Sequence, residues 1–429
     1  ADGAEIVDAA GCIAIPGFVD AHRHLWEGAM RAVTADWSIL DFVGNIRLLA
    51  AQFFRPQDMY ATSLHGALES LDAGVTTVAD YCHNARTVDH VRQAIAGVKG
   101  AGIRAVWGYS FTGLAPDGAR DHGKSGELAF VEALAAEAFQ PGGLVSLGIC
   151  PEEPMHWRED AAAVREQFAL ARRIGARLFM HANSVPAIGG GLEREVDKLD
   201  AIGCLGPDLA LVHMGHTAPE EWARLGEAGG HAVFTPDTEL QMGLGWPAIG
   251  EARAAGVNVG LGIDITANNS ADMFNQMRLA LQVERARVME RDPQRAFRAL
   301  APVACRDALH WGTMGGARAC GLDDRIGSLT PGKEADIVLL RADGLGMAGW
   351  DRGNPAATVV LQASVAQVDT VLVAGRVVKR DGKLLTDPAD AIRALEATSA
   401  HVHAQVAAAG GFGAPEEVLY HRLGFGGAA

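Results

Sequence analysis

The sequence predicts an α/β fold: a (β/α)8 TIM-like barrel with a small β-sandwich domain built from both chain ends. Three observations carry that prediction. Short apolar, β-branched runs alternate with helical patterns through most of the 429 residues. Nearly every such run ends in a histidine or a carboxylate. After about Gly321 the alternation stops, and turn-rich, strand-like patterns replace it.

The candidate barrel strands are Ile13–Asp20, Val75–Asp80, Ile103–Tyr109, Leu144–Cys150, Arg177–His181, Leu209–His213, His231–Thr235 and Val257–Asp264. Between them, Gln57–Ala73, Thr87–Gly102, Asp160–Gly175 and Pro219–Gly229 carry apolar residues at helical spacing. Several of these end on Gly, which takes the left-handed cap conformation without steric cost. Strands separated by helices fit either a doubly wound sheet or a closed barrel. The strand ends separate the two. His22 and His24 follow the first strand, Asp80 and His83 the second, and Glu152 and Glu153 the fourth, while His181, His213 and Asp264 close the fifth, sixth and eighth. A barrel gathers all of these around one mouth, whereas an open sheet spreads them along an edge.

The expected organisation is residues 1–15 as the first part of a small β domain, 16–325 as a metal-dependent barrel, 326–388 as the second part of the small domain, and 389–429 as a helix followed by a Gly/Ala-rich tail. Gly327-Ser-Leu-Thr-Pro-Gly-Lys-Glu-Ala-Asp336 is the turn-rich entry to the second part, followed by strand patterns at Ile337–Leu340, Val368–Val373 and Arg376–Val378. Glu5–Ile15 is expected to add a strand from the other end. Residue 1 is Ala, in a stretch that reads as the continuation of a strand, so residues 1–15 are expected to be incomplete.

A hydrophobic content of 49% with 21% charged residues requires a packed core. The formal charge of −15 excludes broad nucleic-acid binding, which needs clustered Lys and Arg. The 6 cysteines are scattered with no Cys-x-x-Cys pair, which points to reduced thiols in a cytoplasmic protein. No apolar run has the length of a membrane span. The expected partners are a small-molecule substrate and further copies of the chain, as a dimer or tetramer.

The sharpest local feature is Asp20-Ala-His22-Arg-His24. Residues two apart on an extended segment point to one side, so both imidazoles can reach one ion. That spacing arises by chance in many proteins, but here it sits at a barrel strand end. His181 closes the otherwise apolar Leu178-Phe-Met-His181, and a satisfied core histidine is its ordinary explanation. Asp264 closes Gly260-Leu-Gly-Ile-Asp264, where a helix cap is the ordinary explanation and an unpartnered buried carboxylate would be costly. One cation accounts for all of them together. Imidazoles plus a carboxylate suit one divalent metal of borderline softness, zinc ahead of iron, over calcium or magnesium.

Pro16-Gly-Phe-Val-Asp-Ala-His22-Arg-His24, Ala73-Gly-Val-Thr-Thr-Val-Ala-Asp80, His181, Leu211-Val-His213, Gly262-Ile-Asp264 and the Gly327–Asp336 turn occur in that order. Together they resemble the amidohydrolase superfamily, in its cytosine deaminase and triazine chlorohydrolase-like branch, over essentially the whole chain. The resemblance implies His22, His24, His181 and Asp264 as the ligands of a single zinc or iron, with His213 beside the attacked substrate atom. Bound water would be acidified to a pKa of roughly 7, and the resulting hydroxide would attack an electrophilic carbon. Asp264 would take the proton from the water and His213 would polarise the attacked centre.

The chain departs from that pattern at one position. Deaminases of the branch carry a Glu three residues after the fifth-strand histidine, and here His181-Ala-Asn-Ser184 puts Ser184 there. A serine is no carboxylate acid/base. His216, Glu239 and its neighbour Asp237 are candidate replacements, each with a solvated loop position as the alternative. For Glu152 and Glu153 the solvated-loop reading is preferred. His83, Trp26, Ser184 and Asn268 are the candidate substrate-binding residues: Trp26 as a wall for a flat ring, and Asn268, with Asn269, on the loop after Asp264. The expected function is metal-dependent hydrolysis of a small heterocyclic or amide-like compound with release of amine, ammonia or halide. The alternatives are a carbamate, thiocarbamate or cyclic amide hydrolase, and a catalytically silent barrel that binds metal or a ligand.

Overall fold

The computed structural model describes residues 6–111, 123–154, 161–187, 190–298 and 301–413. Glu5, Asp160 and the tail beyond residue 413, parts of three expected elements, lie outside the described residues.

Five strands form an antiparallel sheet in the order β1 (Cys12–Pro16), β10 (Ile337–Arg341), β11 (Val368–Val373), β12 (Arg376–Arg380) and β13 (Lys383–Leu384). The other eight form a parallel sheet in strictly sequential order: β2 (Phe18–Arg23), β3 (Val75–Cys82), β4 (Arg104–Ser110), β5 (Val145–Cys150), β6 (Arg177–Ala182), β7 (Leu209–His213), β8 (His231–Phe234) and β9 (Asn258–Leu261). The sheet closes on itself where Asp264 N donates to His22 O and His24 N donates to Asp264 O, both at 2.9 Å. The fold is therefore the expected barrel with an antiparallel sheet drawn from both ends of the chain.

The first expected strand needs correction. Ile13–Asp20 is not one strand but two, in different sheets, broken at Gly17. A side chain at Gly17 would lie 2.1 Å from Thr76 Oγ1, so only glycine lets the chain pass. Pro16 lacks an N–H, and it ends the pairing with β10. A continuous apolar run conceals this switch, because both halves face a core. Val257–Asp264 is likewise shorter as a regular strand, and Gly262–Asp264 continues it through irregular bonds to Phe234 and His22.

Inside the barrel, Val19, Ala21, Ala79, Tyr81, Val106, Phe179 and Val212 pack as one cluster, while the outer faces of the strands pack against the surrounding helices. The helices at Val88–Ala101 and Ala162–Ile174 end on Gly102 and Gly175 in left-handed conformation, as their sequence predicts. The helix Ala389–Ala408 lies against Pro56–Asp72, with Thr398 Oγ1 donating to Asp58 Oδ1 at 2.9 Å. All 6 cysteines are free thiols. No helix of the described residues is long and apolar enough to cross a membrane.

The end of the barrel opposite the strand C-termini is tied to the small sheet by Arg104. It is buried, and its guanidinium donates to Asp336 at 2.9 and 3.2 Å and to Glu334 at 2.6 Å. Asp336 also accepts from Ala374 N at 2.8 Å. Arg104→Ala strands the Asp336 carboxylate without its charge partner, and is expected to cost about 3–5 kcal/mol of unfolding free energy in urea titrations. A cost below about 1 kcal/mol would mean that this bridge does not hold the two sheets together.

Candidate metal centre

His22 and His24 leave the end of β2 on one side of the strand, His181 leaves β6 and His213 leaves β7. Asp264 lies beyond β9, at the closure seam. His22 Nε2 is 3.2 Å from His181 Nε2 and 3.3 Å from Asp264 Oδ1, and His24 Nε2 is 3.4 Å from the same oxygen. Ligand atoms at zinc bond lengths around a tetrahedral ion lie about 3.3–3.4 Å apart, so these spacings fit a shared cation. His22, His181 and His213 form a second group whose nitrogens lie within 4.8 Å of one another.

The protonation pattern suits a cation. Burial lowers His22 to about 4 and holds His24 well below the ordinary histidine value. Burial would raise Asp264, but the hydrogen bond from His22 and the electrostatic attraction of the facing imidazoles, His213 foremost, outweigh it and hold the carboxyl below its usual range. The donor set is thus neutral imidazole with an ionised carboxylate. The outward nitrogens of two of the imidazoles are occupied: His24 Nδ1 donates to Tyr81 O at 2.7 Å and His181 Nδ1 donates to Glu153 Oε1 at 2.6 Å. Their Nε2 lone pairs are left facing inward.

The backbone around these residues is strained in the manner of functional sites. His213 and Asp264 have φ of 74° and 70°. Gly262 is required at the seam, since a Cβ there would come within 2.7 Å of His22 O.

A cavity lies over the cluster, about 640 Å³ when the open solvent at its mouth is counted. His24, His83, His181, His213, Glu153 and Asp264 make its polar floor, and Ile39, Phe42, Val43, Met242, Leu244 and Ile265 make an apolar wall. Ser184, Thr238 and Arg47 also line it. Half of that wall comes from Ile39–Arg47, in the long segment between β2 and the helix at Pro56. Sequence reasoning passed over this segment. Its length was the available signal, because long loops at a barrel mouth carry binding functions.

Several expected site residues stand elsewhere. Trp26 is only 1% exposed and packs edge-on against Phe54, so it is no wall for substrate; its Nε1 donates to His83 Nδ1 at 2.9 Å. It acts through His83, which lines the cavity and stacks on His24 at 4.1 Å. Glu239 is behind His213 rather than in the cavity, with Oε1 3.5 Å from Nδ1 and accepting from Thr235 N at 2.7 Å. Burial lowers His213, but Glu239 and Asp264 outweigh it and raise the imidazole above its ordinary value. His216 and Asn268 are not among the lining residues, and Asp237 is held by Asn275 and Gln276. Asn269 bonds to Thr238 and Ile263. Glu153 corrects the solvated-loop expectation: it is 5% exposed, lines the cavity and carries the bond to His181. Glu152 is not among the lining residues.

The chain matches the amidohydrolase family over residues 13–378, and it belongs to that family of metal-dependent hydrolases. It is similar to the 5'-deoxyadenosine deaminase of Methanothermobacter thermautotrophicus, 27% identical over 390 residues that cover 89% of this chain and 86% of that protein. The 8-oxoguanine deaminase of Pseudomonas aeruginosa is 30% identical over 389 residues, with 86% and 82% covered. In fold it is similar to the zinc-bound adenosine deaminase of Xanthomonas campestris, with TM-score 0.78 at 23% identity over 92% of this chain and 87% of that one. An atrazine chlorohydrolase variant of Arthrobacter aurescens bound to zinc and atraton matches equally, with TM-score 0.78 at 23% identity over 92% and 89%.

One carboxyl beside the cavity has a pH signature. Glu195 accepts from Asn183 N, next to Ser184, and burial pushes it up to about 7 from 4.5. A folded pKa above the unfolded one gives stability that is full at acid pH and is lost as pH rises through about 7. Glu195→Gln cannot titrate, so its melting temperature is expected to fall less than the wild type's between about pH 5 and 8. Equal falls in calorimetry at the two pH values would refute that origin.

Proposed function

We propose that the protein hydrolyses a small, flat heterocyclic or amide-like compound with a single divalent metal, zinc ahead of iron, held by His22, His24, His181 and Asp264. The observation that carries this reading is the set of 3.2–3.4 Å spacings among those ligand atoms at the floor of an apolar-walled cavity. A divalent cation in that cage acidifies water to a pKa of roughly 7, and so supplies a nucleophile at neutral pH.

The remaining work falls to the chain's own groups. Asp264, which lines the cavity, would accept the proton of the attacking water. His213, kept basic by Glu239, donates to the substrate atom that gains negative charge. Ile39, Phe42 and Met242 cover the faces of a planar ring, and Arg47 meets a substituent that carries an acceptor oxygen or a negative charge. The deaminase names of the relatives support release of ammonia or an amine, and the chlorohydrolase likeness in fold is compatible with release of halide.

Ser184 favours a second reading within the same chemistry. It lines the cavity at the position where deaminases of this branch hold a carboxylate. A halide, or the alkoxide or thiolate of a carbamate or thiocarbamate, departs without protonation of a ring nitrogen. Such substrates do not need the missing group.

Elemental analysis of the purified protein is expected to give near one equivalent of zinc or iron. Chelator treatment is expected to abolish hydrolysis across a panel of amino-, chloro- and carbamoyl-substituted heterocycles. Metal content below a tenth of an equivalent, unchanged by His181→Ala, would remove the metal reading, and metal without turnover of any substrate would favour the silent barrel. Ser184→Glu is expected to raise deamination relative to dehalogenation on the same panel. An unchanged ratio would exclude Ser184 as the determinant of the leaving group.

A further inference from the structure

The outward hydrogen bonds of the metal-centre histidines converge on one residue. Tyr81 lies on β3, and its ring shares the barrel interior with Ala79. Its carbonyl oxygen accepts from His24 Nδ1 at 2.7 Å, and its hydroxyl donates to Glu153 Oε1 at 3.1 Å. That same oxygen accepts from His181 Nδ1 at 2.6 Å. The Tyr81 ring stacks on the His181 imidazole at 4.4 Å and 27°, and stands edge-on to His24 at 5.4 Å and His22 at 5.7 Å. Glu153 sits just beyond β5, so β3 and β5 together brace ligands that arise on β2 and β6.

We propose that Tyr81 and Glu153 form a positioning bridge that fixes the tautomer and ring orientation of His181, and couples it to His24 across four barrel strands. The inference rests on the single-metal reading above. His24 is held by main chain, which no side-chain substitution removes. His181 depends on a side-chain carboxylate, and the Tyr81 hydroxyl helps to direct that carboxylate. A carboxylate behind a ligating imidazole also makes the facing nitrogen a better electron donor, and loss of such a partner lowers metal affinity about 10–100-fold. Burial of Glu153 strengthens both bonds, because little water competes for its oxygens. Neither residue is a ligand here, so each acts on the cation only through His181.

The bridge is tested on the full chain with Zn²⁺ or Co²⁺ alone, by competition against a calibrated chelator, with the visible spectrum of the cobalt form as a report of ligand geometry. Glu153→Ala is expected to weaken binding about 10–100-fold and to alter the cobalt spectrum, with Glu153→Gln losing less because its amide oxygen still accepts from His181. Tyr81→Phe keeps the ring stack and removes only the hydroxyl, and is expected to weaken binding on the order of tenfold or less. The double variant Tyr81→Phe with Glu153→Ala should bind no worse than Glu153→Ala alone, since the hydroxyl acts through the carboxylate. Metal-free melting curves of each variant report folding. Folded variants that bind within threefold of wild type, or losses that simply add, overturn the bridge. Wild type that takes up no metal sinks the single-metal reading itself and the bridge with it.

Discussion

The seam where the last barrel strand meets the first is the constraint on which the site depends. Two backbone hydrogen bonds between Asp264 and the His22–His24 segment close the sheet, and the same two contacts set a carboxylate against a pair of imidazoles. Closure of the fold and assembly of the ligand cage are one event. Gly262 makes it possible by leaving no Cβ between the strands, and Asp264 accepts a left-handed backbone so that its side chain turns inward. Desolvating a carboxylate and several imidazoles is expensive. The cost is offset here by mutual charge and by bonds from behind, from Tyr81, Glu153 and Thr235.

Much of this was legible in the sequence, for identifiable reasons. Strand-end chemistry is local: His22, His24, His181, His213 and Asp264 each end an apolar run, and a barrel has only one place to bring such ends. The strand boundaries were legible where a polar residue or a glycine stops the run, as at His213 and Gly175. They were not where both neighbours of a break are buried. Ile13–Asp20 reads as one strand because the switch between sheets at Gly17 leaves no polar mark.

What lay behind the first layer of the site was harder to read. Trp26 follows His24 by two residues, which suggested contact with substrate, yet its ring turns into the core and only its N–H reaches the site, through His83. For Glu153 the solvated-loop reading took preference, because a pair of adjacent glutamates on a loop is usually solvated. Its burial is decided by Tyr81 and His181, residues 72 and 28 positions away. Sequence spacing carries no information about contacts of that kind. Periodicity was no guide to Ile39–Arg47 either, because a four-residue α-helix running into a five-residue π-helix holds no single period long enough to read.

The connection that carries Ile39–Arg47 runs on to Pro56 and is held from outside as well as from within. His401 Nε2 lies 3.1 Å from Phe53 O, on the C-terminal helix that packs over the segment's far end. The connection that carries half of the apolar wall is therefore held near its end by a helix from the opposite terminus, while the histidine and aspartate cluster is built from strand ends. Cluster and wall are separately supported pieces of chain. Substitutions can accumulate along the wall and its support, and so reshape the cavity, without disturbing the cluster at the strand ends.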